Sequence, residues 1–151
     1  MKFFFTLVLS ILSLNVVADL DLEDKMRQAD HDLFDSFNKC ADKNELEKHR
    51  SFFAQDIEFY HDNGGVTWDR ASMIVNTKNN VCGNFYRKLL PESFQVFPIK
   101  SFGAITQGTH IFCSFDTDVC EGKADFTMIW QSLDDKYVVT RALSYGHRIN
   151  P

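Results

Sequence analysis

Clusters of basic residues, cysteines at metal-binding spacing, internal repeats and linker-like stretches are all missing from this 151-residue sequence. Each absence removes a class of protein. There are 16 basic against 21 acidic residues, a net charge of −5, and nothing basic is clustered. Nucleic acid and anionic membrane surfaces are therefore not expected as partners, and the negative charge argues for solubility. No CxxC and no HxxxH pair occurs, so no metal and no cofactor is expected from spacing alone. Without repeats or linkers the chain reads as one domain, long enough to bury a hydrophobic core.

A single long apolar run is present, at the start. Met1 and Lys2 precede FFFTLVLSILSLNVV at residues 3–17, and Val16, Val17 and Ala18 put small residues ahead of Asp19. That pattern predicts a secretory signal peptide over residues 1–18 and a single domain over residues 19–151, secreted or periplasmic, with no membrane contact after cleavage. The run is short for a membrane span, and the competing reading is an uncleaved signal anchor. Four cysteines, Cys40, Cys82, Cys113 and Cys120, then favour two disulfides. Three pairings are possible. Cys113 and Cys120 flank SFDTDV, which reads as a hairpin loop, so a bridge across it is expected, leaving Cys40 with Cys82. The 15 phenylalanines, three of them in the leader, point to an aromatic-rich interior or pocket.

Periodicity divides the rest into helices followed by strands. Leu22, Met26, Ala29, Leu33, Phe37 and Cys40 recur at steps of three and four, predicting a long helix over residues 20–41. Asp42 with Glu45 starts a second helix like a capping box. Residues 57–60 alternate as a short strand that ends in His61-Asp62-Asn63-Gly64-Gly65, a turn sequence. Asp69 caps a third helix through about residue 79. Strands follow at 85–90, 93–97, 104–114, 122–133 and 137–148. In the fourth of these, Ala124, Phe126, Met128 and Trp130 share one face. Helices first and strands after predict an α+β fold: a cystatin-like cone, with a strongly curved antiparallel sheet wrapped around a long N-terminal helix plus two shorter helices. A cavity between sheet and helices is then the natural place for a small ligand.

In their order, ADHDLFDSFNKC, FFAQDIEFYHDNGG, NVCG, GTHIFC, CEGKADFTMIWQ and RALSYGHR cover nearly all of residues 26–148. The chain resembles the nuclear transport factor 2-like superfamily, which includes ketosteroid isomerases and SnoaL-like polyketide cyclases. More narrowly, it resembles an exported bacterial subgroup of unknown function. The resemblance implies the cone fold, a ligand pocket, and dimers formed through the open face of the sheet. It also implies a proton-abstracting group near His61-Asp62.

His61 and Asp62 are thus the candidate catalytic pair. Histidine titrates near neutrality and suits general-base work. The alternative for Asp62 is a bond to the backbone of the following turn. Arg141, Leu143, Tyr145 and His147 share parity on the last strand. If that face is concave, Arg141 brings a planar cation to a carboxylate or enolate oxygen, with Tyr145 and His147 nearer the rim. The alternative is an ion pair between Arg141 and Asp125. His110, central in its strand, and the aromatic Tyr60 and Trp130 complete the expected ligand-binding set, the alternative being that they are plain core. Trp68 and Phe59 are read in the same way. The leading expectation is an exported domain binding a small apolar or carbonyl-containing molecule. Its rivals are a proton-transfer isomerase or cyclase-type lyase, and a homodimeric interaction module.

Overall fold

The structure, a computed structural model, describes residues 9–134 and 136–150. The first eight residues of the expected leader lie outside the described residues. From Leu9 the chain is helical, and α1 spans Leu9–Asn38 without a break at the expected cleavage point. No helix among the described residues is long and apolar enough to cross a membrane.

Two aspartates start the shorter helices. Asp42 accepts hydrogen bonds from the Asn44 and Glu45 N–H groups at 2.7 and 3.4 Å, opening α2 (Lys43–Ser51). Asp69 accepts from the Ser72 N–H at 2.8 Å and opens α3 (Arg70–Asn80). Each satisfies donors that a helix start otherwise leaves bare.

The strands are β1 (Phe53–His61), β2 (Gly65–Thr67), β3 (Phe85–Leu89), β4 (Gln95–Ile99), β5 (Gly103–Ser114), β6 (Gly122–Leu133) and β7 (Lys136–Ile149). They form one curved sheet in the order β2-β1-β7-β6-β5-β3. β4 also pairs with β5, which is long enough to take β4 along its first half and β3 along its second. The sheet is antiparallel except at one seam. β1 runs parallel to β7, which departs from the wholly antiparallel expectation. The physical reason is the connection: α3 and five strands intervene, so no hairpin constrains β1 and β7 to run oppositely. β2 was not anticipated either; it is three residues long, below the length at which alternation is readable.

The core lies between α1 and the inner face of the sheet. Met26, Leu33 and Phe34 of α1 meet Phe126, Trp130 and Val139. On β6, Ala124, Phe126, Met128 and Trp130 are all buried, as their alternation predicts. Cys40 is bonded to Cys82, tying the end of α1 to the end of α3, and Cys113 is bonded to Cys120 across the β5–β6 turn. Both bridges fit an oxidising compartment outside the cytoplasm.

Candidate functional site

A cavity of about 670 Å³ opens between the three helices and the inner sheet face. Its walls are mostly apolar, with Phe34, Phe37, Phe53, Phe59, Phe112 and Phe126 contributing rings. Four of the chain's five histidines also border it: His49, His61, His110 and His147. Cavities of this size and character hold small molecules, oriented by a few polar groups.

His61 and His147 form the solvent end. Their rings stack with centroids 4.2 Å apart and 19° between planes. His61 Nδ1 accepts from the backbone N–H of Asn63 at 3.2 Å and of Gly64 at 3.0 Å. Its proton is therefore on Nε2. Burial, then the neighbouring His147, pushes the His61 imidazole below its ordinary pKa, with Asp62 pulling weakly the other way. Here the expected roles exchange. The turn backbone is held by His61, whereas Asp62 reaches across to β7. Asp62 accepts from the His147 backbone N–H at 3.2 Å and bonds the His147 ring through Nδ1. Burial alone would raise the Asp62 carboxyl, but these His147 bonds outweigh it and hold it below the usual carboxylate range. With Nδ1–H committed to Asp62, His147 turns Nε2 toward the Ser144 hydroxyl, 3.4 Å away. This is a carboxylate-oriented imidazole with its other nitrogen on the cavity side. Asp62 does not line the cavity; it acts on it through His147.

His147 faces inward because β7 breaks parity. Lys123 pairs with Arg148 and Asp125 with Tyr145, so two β7 residues, Gly146 and His147, oppose Ala124 alone. Gly146 has φ +65°, a conformation that glycine adopts without steric cost. The bulge turns His147 to the side of Ala142 and Ser144. A second bulge, at Thr140, sets Arg141 opposite Ile129 and Val139 opposite Trp130.

Four expected ligand contacts are therefore corrected. Arg141 lies outside the cavity, with its Nε 2.9 Å from Glu58, not paired with Asp125 as the alternative had it. Asp125 instead takes Arg148 at 2.9 Å. Tyr145 is on the same outer face, its hydroxyl 3.5 Å from that of Thr127. Tyr60 donates to Glu58 at 2.7 Å and packs edge-on against the exposed Trp68. Trp130 is wholly buried, its Nε1–H donating to Thr106 at 2.9 Å, and it does not reach the cavity. Parity shows that Arg141 and Tyr145 share a face, but not that this face is the convex one, and it does not say how deep a residue such as Trp130 sits.

His110, on β5, lies deep in the wall and is 3 % exposed. Behind it is an ion pair for which sequence reasoning had no place. Arg87 of β3 donates to Asp30 of α1 at 2.8 and 3.1 Å, with both side chains almost wholly buried. Arg87 Nε–H also donates to His110 Nδ1 at 3.4 Å. Burial, then the Arg87 charge, drives the His110 pKa down to about 3. The legible signal for this pair was Asp30 itself, four residues after Met26 on the buried stripe of α1. A charge at such a position implies a buried partner.

His61, Asp62 and His147 lie close enough to suggest a metal site, with ligand atoms within 4.8 Å of one another. The ring geometry argues against it. A metal sits in the plane of each imidazole that binds it, and two rings stacked at 4.2 Å cannot both point their lone pairs at one ion.

No protein-family model and no curated protein matches this chain. Solved structures do. A nuclear transport factor 2-like superfamily protein from Salmonella enterica aligns with TM-score 0.67 at 12 % identity, over 83 % of this chain and 91 % of its own. The association domain of CaMKII from C. elegans aligns at 0.68 and 8 %, over 84 % and 97 %. A hexachlorocyclohexane dehydrochlorinase (LinA, type 2) aligns at 0.59 and 13 %, over 87 % and 93 %. At such identities the likeness concerns the fold: this chain has the cystatin-like cone of the nuclear transport factor 2-like superfamily. That fold carries an enzyme in one of these proteins and an association domain in another, so the function is argued from the site.

Proposed function

We propose that this protein is an exported domain, released by cleavage of residues 1–18, that binds a small, largely apolar molecule in the cavity of the cone. The observation that carries the reading is the cavity itself: about 670 Å³, walled by phenylalanine and bordered by four histidines. An apolar space of that size is costly to leave unfilled in a core that only packs to support the fold. The His147–Asp62 pair is the polar group at its solvent end, and the two disulfides suit a protein acting outside the cytoplasm.

The test is mass spectrometry of small molecules released when the purified protein is denatured, run beside Ala142→Phe. Ala142 borders the cavity and is nearly buried, so a phenyl ring there fills the space. A compound released by the wild type and absent from a folded Ala142→Phe variant supports the reading. Retention of the same compound by the filled variant would sink it.

Proton transfer is the chemistry this site favours if the ligand is turned over. His147, held by Asp62, would take a proton next to a carbonyl through Nε2. It takes the place of His61 as the expected base, and Arg141 does not supply the cation expected for the enolate, since it lies on the outer face. An assembly role draws on Leu143 and Tyr145, which are exposed on β7. Light scattering that gives a clean monomer at high concentration argues against it.

A further inference from the structure

We infer that His110 is the recognition group in the cavity wall: held in one tautomer by Arg87 and Asp30, it donates its Nε2–H to a hydrogen-bond acceptor, such as a carbonyl oxygen, on an uncharged ligand. This rests on the ligand reading above and narrows it to one chemistry.

Arg87 decides the tautomer. A guanidinium has only donors, so the His110 Nδ1 that faces it at 3.4 Å must be the acceptor, and the ring proton must sit on Nε2. Arg87 is held from several sides. Asp30 binds it bidentately, and its guanidinium carbon lies 3.7 Å from the centroid of Phe34. Asn38 clamps its backbone, accepting from the Arg87 N–H at 2.7 Å and donating to the Arg87 carbonyl at 3.0 Å. Asp30 and Arg87 are thus positioning residues that act through His110.

The other nitrogen is left over. His110 Nε2 is buried and has no hydrogen-bond partner among the described residues. Buried donors are almost always satisfied, and one that borders a cavity points to what the cavity takes in. A residue needed only for packing would not require this atom. The ring sits among Phe34, Phe112 and Phe126, with centroids 6.2, 4.6 and 5.0 Å away. Such apolar surroundings strengthen a hydrogen bond once made.

The same surroundings define the ligand's charge. His110 stays neutral through burial and through the Arg87 cation; His147 and His61 act in the same sense, and Asp125 in the opposite one. A neutral N–H offers no ionic attraction to an anion, and a cation has no acceptor here. An uncharged acceptor is the group that fits, and a carbonyl is also what His147 needs beside the proton it would take.

Two near-isosteric probes separate shape from hydrogen bonding: 2-acetylnaphthalene, and 2-isopropenylnaphthalene, in which CH₂ replaces the carbonyl oxygen. In ¹⁵N-histidine-labelled protein, His110 is expected to show the Nε2–H tautomer before any probe is added. The ketone should bind about tenfold more tightly than the hydrocarbon and shift the Nε2–H signal. His110→Phe should level the two affinities. Arg87→Met combined with Asp30→Asn removes the donor without leaving a bare charge, and should abolish the tautomer preference, a readout that a purely structural role would not move. An Nδ1–H tautomer in the wild type overturns the inference even where that double variant does not fold. So does equal binding of the two probes, although the cavity then remains a ligand site. Binding of neither overturns both readings.

Discussion

Asp30 and Arg87 show how much one buried pair can determine. Each is nearly inaccessible, and burial pushes the Asp30 carboxyl up and the Arg87 guanidinium down, with their bidentate contact opposing both shifts only in part. Each charge depends on the other for its compensation, so removing one partner is worse than removing both. Arg87→Met alone should cost about 3–5 kcal/mol in urea denaturation, because Asp30 is left buried and unpaired. The double variant Asp30→Asn with Arg87→Met should recover part of that loss; additive costs would mean that the two side chains are not coupled. At the solvent end, Asp62→Asn should free the His147 ring. Its NMR signals should then lose the single orientation that the carboxylate imposes, while His110 is unaffected.

Among the elements, β7 does most to shape the site. Gly146 at φ +65° makes the bulge that brings His147 inward, and a Cβ there would come within 3.3 Å of both Arg148 and Asp125. Gly146→Val should therefore destabilise the fold by about 1–3 kcal/mol and displace the His147 signals, whereas a valine at an ordinary strand position would do neither. The start of β5 tolerates still less. A Cβ on Gly103 would lie 2.0 Å from the Trp130 carbonyl oxygen, so the two strands could close there only on glycine. The disulfides differ in weight for the same reason of geometry. Cys40–Cys82 closes a 42-residue separation and Cys113–Cys120 only 7. Chain entropy assigns about 4 kcal/mol to the first and about 2 kcal/mol to the second. Replacing Cys40 and Cys82 by serine should cost the larger share of thermal stability and loosen the α1–α3 side of the cavity; an equal loss from either pair contradicts this. Elements of this kind were readable where local chemistry decides them. Asp42 and Asp69 cap helices because an aspartate before a helical stretch has donors to satisfy, and β6 alternates because one of its faces is buried. The two bulges on β7 and the parallel β1–β7 seam carry no such local signature, since each arises from the register between distant segments.

At the scale of the whole molecule, burying histidines ties stability to pH. The pKa of His49 is lowered to about 4 by burial, against the pull of its Nδ1–H bond to the Leu33 carbonyl at 3.2 Å, and that of His110 to about 3. Unfolded, both titrate near the ordinary histidine value of 6.5. Between about pH 6.5 and 4 the unfolded chain takes up protons that the fold refuses, so stability falls as pH falls. Each histidine contributes up to about 1.4 kcal/mol per pH unit across that window, and the loss is absent above it. His110→Phe should flatten the slope measured by denaturation at several pH values; a variant with the wild-type slope would contradict the burial assigned to His110. The same burial keeps His110 uncharged at neutral pH, so its hydrogen bond to the ketone probe should not change between pH 7 and 8.

Much of this protein was decided by pattern alone. Apolar spacing at three and four, then at two, requires helices followed by strands, because each period presents one face to be buried. Helix caps, turn residues and the even count of cysteines needed nothing beyond neighbours in the chain. The site was another matter. His61, His110 and His147 come to one cavity, while Arg141, Tyr145, Tyr60 and Trp130 do not. Arg87 finds Asp30 across 57 residues of sequence. Such partners are chosen by register, bulges and depth, which depend on how the sheet closes over α1. Only the folded chain fixes those distances.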